Sequence, residues 1–158
     1  MSRYPWPDRA HPDLVKTFEE VRQQAALGGV RIAPYFGYRD EDQQTALYAQ
    51  GRMPLGTTNA LRAKAGMAPV TEEENQRIVT KARYGESAHT VDPACAVDWC
   101  VLDAGGRAVW WEGTDLDQDG RRDYEEVGLL GEAAGLVWGG RFKFRDWGHF
   151  EMPRGKWS

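Results

Sequence analysis

"ACAVDWCVLDAGGRAVWW", residues 94–111, reads as a strand, a tight turn and a returning strand. Residues 94–102 form an apolar run, "DAGG" supplies turn residues, and "RAVWW" brings the chain back. A β-hairpin follows from that pattern. One residue disturbs it. Asp98 sits in the middle of the apolar run, and an unpaired buried carboxylate costs several kcal/mol. It must be exposed, neutralised or bound to something positive.

The flanking segments supply helices for both sides of such a sheet. Pro12, then Leu14, Phe18, Val21 and Ala25 at helical spacing, and Gly28-Gly29 mark a first helix. "VRIAPYFGY" (30–38) reads as a strand weakened by Pro34, with Arg39 at its end. Asp40 and Gln43 are in capping-box register for a short helix stopped by Gly51. Residues 53–67 read as loop around "PLGTTN", and Thr71 with Glu74 predicts another capped helix. A helix over 124–134 ends at Gly135, and "LVWGGRFKFRDWGHFEM" reads as two short strands around a loop. Trp99, Trp110 and Trp111 belong to strand patterns and are expected in the core. The fold class is α+β, a small central antiparallel sheet flanked by helices, with residues 1–158 as one domain.

Charge is nearly balanced, 20 Lys and Arg against 24 Asp and Glu, which gives no basic field for nucleic acid or an anionic membrane. The amino-terminal "MSRYPWPDRAHPDLV" lacks a signal-peptide pattern, and no segment approaches membrane-spanning length. A protein made in the cytoplasm, without stable membrane insertion, is expected. Cys95 and Cys100, five apart on one strand, would lie about 16 Å apart, beyond the roughly 7 Å reach of a disulfide. They are expected as free thiols.

Histidine and carboxylate at separated positions are the ingredients of a catalytic zinc site, which keeps three protein ligands and an open position. His89, Asp98 and His149 could supply them. The residues alone leave alternatives open: a salt bridge from Asp98 to Arg39, a satisfied core histidine, or an ordinary turn at "DWGHFE".

Four blocks in order narrow the choice: "GYRDEDQQTALYAQGR" (37–52), "GESAH" (85–89), "AVD" (96–98) and "WGGRFKFRDWGHFE" (138–151). Over residues 12–153 the chain resembles the zinc peptidases of the D-Ala-D-Ala carboxypeptidase and L-alanyl-D-glutamate endopeptidase group, phage endolysins in particular. The resemblance implies a hedgehog/D-Ala-D-Ala-peptidase-like fold, with His89, Asp98 and His149 as Zn2+ ligands. It implies Asp146 as general base, Arg39 as the group polarising the scissile carbonyl, and Ser87 as a substrate-positioning residue. Trp147, between base and ligand, is expected to touch substrate, and Glu151 to support the site rather than act as base. The family pattern S-x-H-x-x-G-x-A-x-D is altered here. His89 and Asp98 stand nine apart instead of seven, the glycine is missing, and Asp92 and Cys95 are rival ligands.

The function so implied is cleavage of peptidoglycan stem peptides at the L-alanyl-D-glutamate bond by a monomeric endolysin. It would be made in the host cytoplasm and act on the wall after release. A D,D-carboxypeptidase or dipeptidase of wall remodelling is the alternative within the enzyme class. A non-catalytic metal-binding module that recognises the wall is the alternative outside it.

A second cation site is suggested by "DLDQDGRRDYEE" (115–126), which fits the calcium-loop pattern D-x-[DN]-x-[DN]-G-x5-E. Asp115, Asp117 and Asp119 would offer carboxylates, Gly120 the sharp turn and Arg121 its carbonyl. Asp123 would act through water, and Glu126 would be the bidentate ligand for Ca2+. A strand precedes the loop and Arg122 takes a place usually apolar, so the loop is EF-hand-like without being a paired EF-hand. A solvated acidic turn is the plain alternative.

Overall fold

The computed structural model describes residues 3–157. The chain forms two compact units, one of Met1–Tyr38 with Asp92–Ser158, the other of Arg39–Val91.

The first unit holds the sheet. Helix α1 (Pro12–Leu27) starts with Pro12 at its first position and His11 as cap, whose Nδ1 accepts from the Asp13 amide at 3.1 Å. Leu14, Phe18, Val21 and Ala25 line its buried face. Gly29, at φ +94, takes the left-handed conformation that turns the chain into strand β1 (Arg31–Phe36). Pro34 is tolerated because β1 is the edge of the sheet, and the register shifts between Pro34 and Phe36.

Strand β2 (Ala96–Leu102) is flanked by β1 on one side and β5 (His149–Glu151) on the other, with β4 (Val137–Trp138) beyond β5. The two-residue strand β3 (Ala108–Val109) completes the expected hairpin with β2. Every pairing among these strands is antiparallel. Its central place explains β2's nearly unbroken apolar run: both faces are covered.

Helix α4 (Asp123–Ala133) packs on the sheet through glycines. A Cβ on Gly131 would stand 2.2 Å from the Phe150 ring, and one on Gly128 2.1 Å from the Trp138 ring. The core is an aromatic stack: Trp99 lies on Tyr124 at 5.1 Å and on Phe150 at 5.0 Å between ring centres, and Phe18 meets Phe150 edge-on.

The second unit contains α2 (Glu41–Ala49) and α3 (Leu55–Lys64). The expected capping box is present: Asp40 accepts from the Gln43 amide at 2.8 Å, and Gln43 accepts from the Asp40 amide at 3.1 Å. The unit is held by side-chain amides clamping backbone more than by apolar burial. Asn59 bonds both ways with Val70, Asn75 donates to Met53 O and Gln50 to Glu74 O.

The structure corrects several expectations. Residues 55–64 are helical, not loop; this helix buries only Thr58, so no apolar stripe announces it. Thr71 and Glu74 do exchange capping bonds, but only a 3-10 turn at Glu74–Gln76 follows. Strand β2 begins at Ala96, leaving Cys95 outside it. Trp99 is fully buried, yet Trp110 is 51% and Trp111 69% exposed, because β3 ends at Val109 before reaching them. Both cysteines are buried and free, as expected. Burial pushes the Cys100 thiol up to about 11.

Candidate metal centre

In the first unit the β2–β5 register sets Asp98 directly opposite His149. The His149 Nδ1 stands 3.1 Å from Asp98 Oδ1, and its Nε2 stands 2.8 Å from Glu151 Oε1. His149 is buried, while both carboxylates keep partial access to water. When Nε2–H donates to Glu151, the Nδ1 lone pair faces a carboxylate oxygen. Two acceptors then confront each other, and a cation between them resolves the conflict, either a proton or a metal. With a proton there, burial pulls the imidazolium down, but the hydrogen bonds to Asp98 and Glu151 outweigh it and hold His149 up at about 9. Carboxylate plus imidazole, with a second carboxylate on the far nitrogen, is a donor set that suits zinc.

The segment before β5 is built by close backbone packing. A Cβ on Gly139 would lie 2.3 Å from Asp146 O and 2.9 Å from His149 Cβ; one on Gly148 would lie 2.4 Å from Trp99 O. Glycine at both positions lets the "WGG" and "DWGH" turns close on β2. The Asp146 amide donates to Gly139 O at 2.9 Å, and the Trp138 indole donates to Trp147 O at 2.9 Å. Asp146 is exposed and Trp147 half-buried against the Trp138 ring.

In the second unit, His89, Ser87 and Arg39 share one hydrogen-bonded turn. The His89 amide donates to Ser87 Oγ at 3.2 Å, and the Arg39 amide donates to His89 O at 2.9 Å. The Thr90 hydroxyl donates to Ser87 O and accepts from the Gly85 amide. His89 is buried. The Arg39 guanidinium donates to Gln44 Oε1 at 3.3 Å, and the fully buried Gln44 is anchored by donating to Ala82 O at 2.6 Å.

Two family models described as D-alanyl-D-alanine carboxypeptidase match, one over residues 80–152 and the other, VanY, over residues 8–104, more than half of the chain. The chain belongs to the VanY family of D-alanyl-D-alanine carboxypeptidases. It is accordingly a peptidase. Among the VanY chain's relatives is the peptidoglycan L-alanyl-D-glutamate endopeptidase CwlK of Bacillus subtilis (strain 168). It is 30% identical over 149 residues, which are 94% of this chain and 76% of CwlK. Among solved structures, the LD-carboxypeptidase LdcB is 14% identical with a TM-score of 0.59, over 96% of this chain and 64% of that one. That likeness supports the α+β fold. The L-Ala D-Glu endopeptidase ChiX of Serratia marcescens is 18% identical with a TM-score of 0.48, over 92% of this chain and 81% of that one.

Two supporting residues of this VanY chain escaped the sequence reading in whole or part. Gln44 looked like an ordinary polar helix residue. Its sign was a second glutamine directly after the capping Gln43, on the face turned inward. Glu151 was expected to support the site, but its partner depended on β5 alternation, which returns residue 151 to the side of 149.

The acidic loop forms a second carboxylate cluster. Asp115 accepts from the Asp119 and Gly120 amides, Asp119 from the Arg121 amide, and Asp123 Oδ2 from the Leu116 amide. Gly120, at φ +85, supplies the left-handed turn.

Proposed function

We propose that the chain is a zinc peptidase of peptidoglycan stem peptides that cuts the L-alanyl-D-glutamate bond, in the manner of a phage endolysin. The observation that carries this reading is the cation-demanding pair Asp98–His149, oriented by Glu151 in a chain of a peptidase family. Likeness to CwlK, an L-alanyl-D-glutamate endopeptidase by name, supports the choice of bond.

In this reading His89 joins Asp98 and His149 as the three protein ligands, and residues 1–158 act as one peptidase domain. Zinc held there supplies a Lewis acid and lowers the pKa of coordinated water to about 7. Asp146, exposed to solvent beside the β5 ligand, takes the proton of the attacking water and delivers it to the leaving amine. Arg39, steadied by Gln44, donates to the carbonyl oxygen as negative charge grows on it. Ser87 and Trp147 position the peptide. The enzyme is made in the host cytoplasm, works as a monomer and reaches the wall after release.

Removal of a terminal D-alanine is the second reading, favoured by the description of both matching family models. Digestion of purified peptidoglycan by zinc-loaded protein, with fragment ends read by mass spectrometry, separates the two. New amino-terminal D-glutamate marks the endopeptidase. Free D-alanine would replace that assignment, and intact peptidoglycan would remove both.

A further inference from the structure

The structure assigns a calcium site to the loop between β3 and α4, built by Asp115, Asp117, Asp119, Asp123 and Glu126. Carboxylate oxygens of Asp115, Asp117 and Asp123 lie within 4.8 Å of one another, as do those of Asp117, Asp119 and Glu126. Asp117 is common to both groups, so two clusters of three carboxylates adjoin on one loop.

Clustering alone is common on protein surfaces; burial without partners is not. Asp123 is only 1% exposed, one of its carboxylate oxygens lies within 4.8 Å of oxygens of Asp115 and Asp117, and its Oδ1 has no hydrogen-bond partner. Asp117 Oδ1 and Glu126 Oε2 are likewise covered and unpartnered. Among the described residues none of the five carboxylates belongs to an ion pair. Three buried, unpartnered acceptors on carboxylates of these two clusters oppose folding unless a cation joins them.

The donor set selects the ion. Every side-chain donor is a hard oxygen, and the loop carries five clustered carboxylates, more than an octahedral Mg2+ uses, which suits the six to eight oxygen ligands of Ca2+. Neither group contains a nitrogen or sulfur donor that would favour zinc. The Arg121 carbonyl provides the backbone ligand expected at the seventh loop position.

The site is coupled to the sheet. Asp123 opens α4, and the next residue, Tyr124, accepts from the Val101 amide at 3.2 Å and donates to Val109 O. Tyr124 stacks on Trp99, which stacks on Phe150, and these two adjoin Asp98 and His149 in their strands. Calcium therefore fastens the start of α4 beneath the strands that carry the zinc-site pair. Its effect on peptidase rate rests on the function proposed above; binding and stability do not.

The test uses zinc-loaded full-length protein, titrated with CaCl2 by calorimetry and followed by thermal unfolding with and without calcium. One Ca2+ per chain and a rise in Tm on the order of 5 °C at saturation are expected, with a much smaller response to Mg2+. Glu126→Gln lowers calcium affinity at least tenfold while keeping the calcium-free Tm within a few degrees. Asp119→Asn, at an exposed ligand, is the second variant should Glu126→Gln fold poorly. No saturable calcium binding, or binding unchanged in both variants, would overturn the site. A calcium-dependent Tm in a protein inactive on peptidoglycan would retain the site and reject the peptidase reading.

Discussion

Asp98 and His149 are direct cross-strand partners, joined at 3.1 Å where β2 and β5 pair. A one-residue slip in that register would turn His149 to the other face of the sheet, so the pair exists only in the native pairing. Glu151, two residues on, returns to the same side and holds the second ring nitrogen. The chemistry of the carboxylate within the apolar strand is thus settled by a residue 51 positions away.

Glu151→Gln keeps the volume of the side chain and removes its charge. With zinc at the proposed site, metal affinity measured by competition with a chelator is expected to fall about 10- to 100-fold, because a neutral amide is a poorer partner than a carboxylate for the imidazole of a metal ligand. An unchanged affinity would make Glu151 a packing residue.

Asp146→Asn tests the proton-transfer role. Asp146 is exposed, so folding and zinc content should stay at wild-type levels while kcat falls by about 100- to 10,000-fold. Loss of zinc along with activity would point to a ligand or a structural role instead.

Gly139→Ala places a Cβ 2.3 Å from Asp146 O, a backbone atom that cannot swing aside. A destabilisation of about 1–3 kcal/mol is expected from such overpacking, read as a lowered urea midpoint. Gly155→Ala meets nothing within 4 Å and serves as the silent control.

The thiols give a pH-dependent prediction. Burial raises Cys95 and lifts Cys100 to about 11, so the reactive thiolate is scarce at pH 8. Native protein should react slowly with iodoacetamide, Cys100 more slowly than its ordinary thiolate fraction would allow, and both should react quickly in denaturant. Fast native labelling at Cys100 would show that the β1–β2 packing opens readily.

The hairpin was legible because a central strand covered on both faces leaves a continuous apolar run, against which Asp98 stands out. Helix α1 and the cap of α2 were legible for equally local reasons, proline at a first turn and reciprocal side-chain bonds. Helix α3 was not. It buries almost nothing apolar, and the unit around it is secured by Asn59, Asn75 and Gln50, whose partners are distant in sequence. Nor could strand patterning show that Trp110 and Trp111 lie past the end of a two-residue strand. The acidic loop showed its spacing in the sequence, whereas the buried, unpartnered oxygen of Asp123 is a property of the folded chain.

We propose that His89, Asp98 and His149 share one zinc ion. A crystal structure of zinc-loaded protein, with anomalous scattering measured on both sides of the zinc absorption edge, tests it directly. One anomalous peak is expected, bonded at about 2.0–2.2 Å to His149 Nδ1, an Asp98 oxygen and a His89 ring nitrogen, with a fourth position open. A peak ligated by Asp92 or Cys95, or one that leaves out His89, would contradict it.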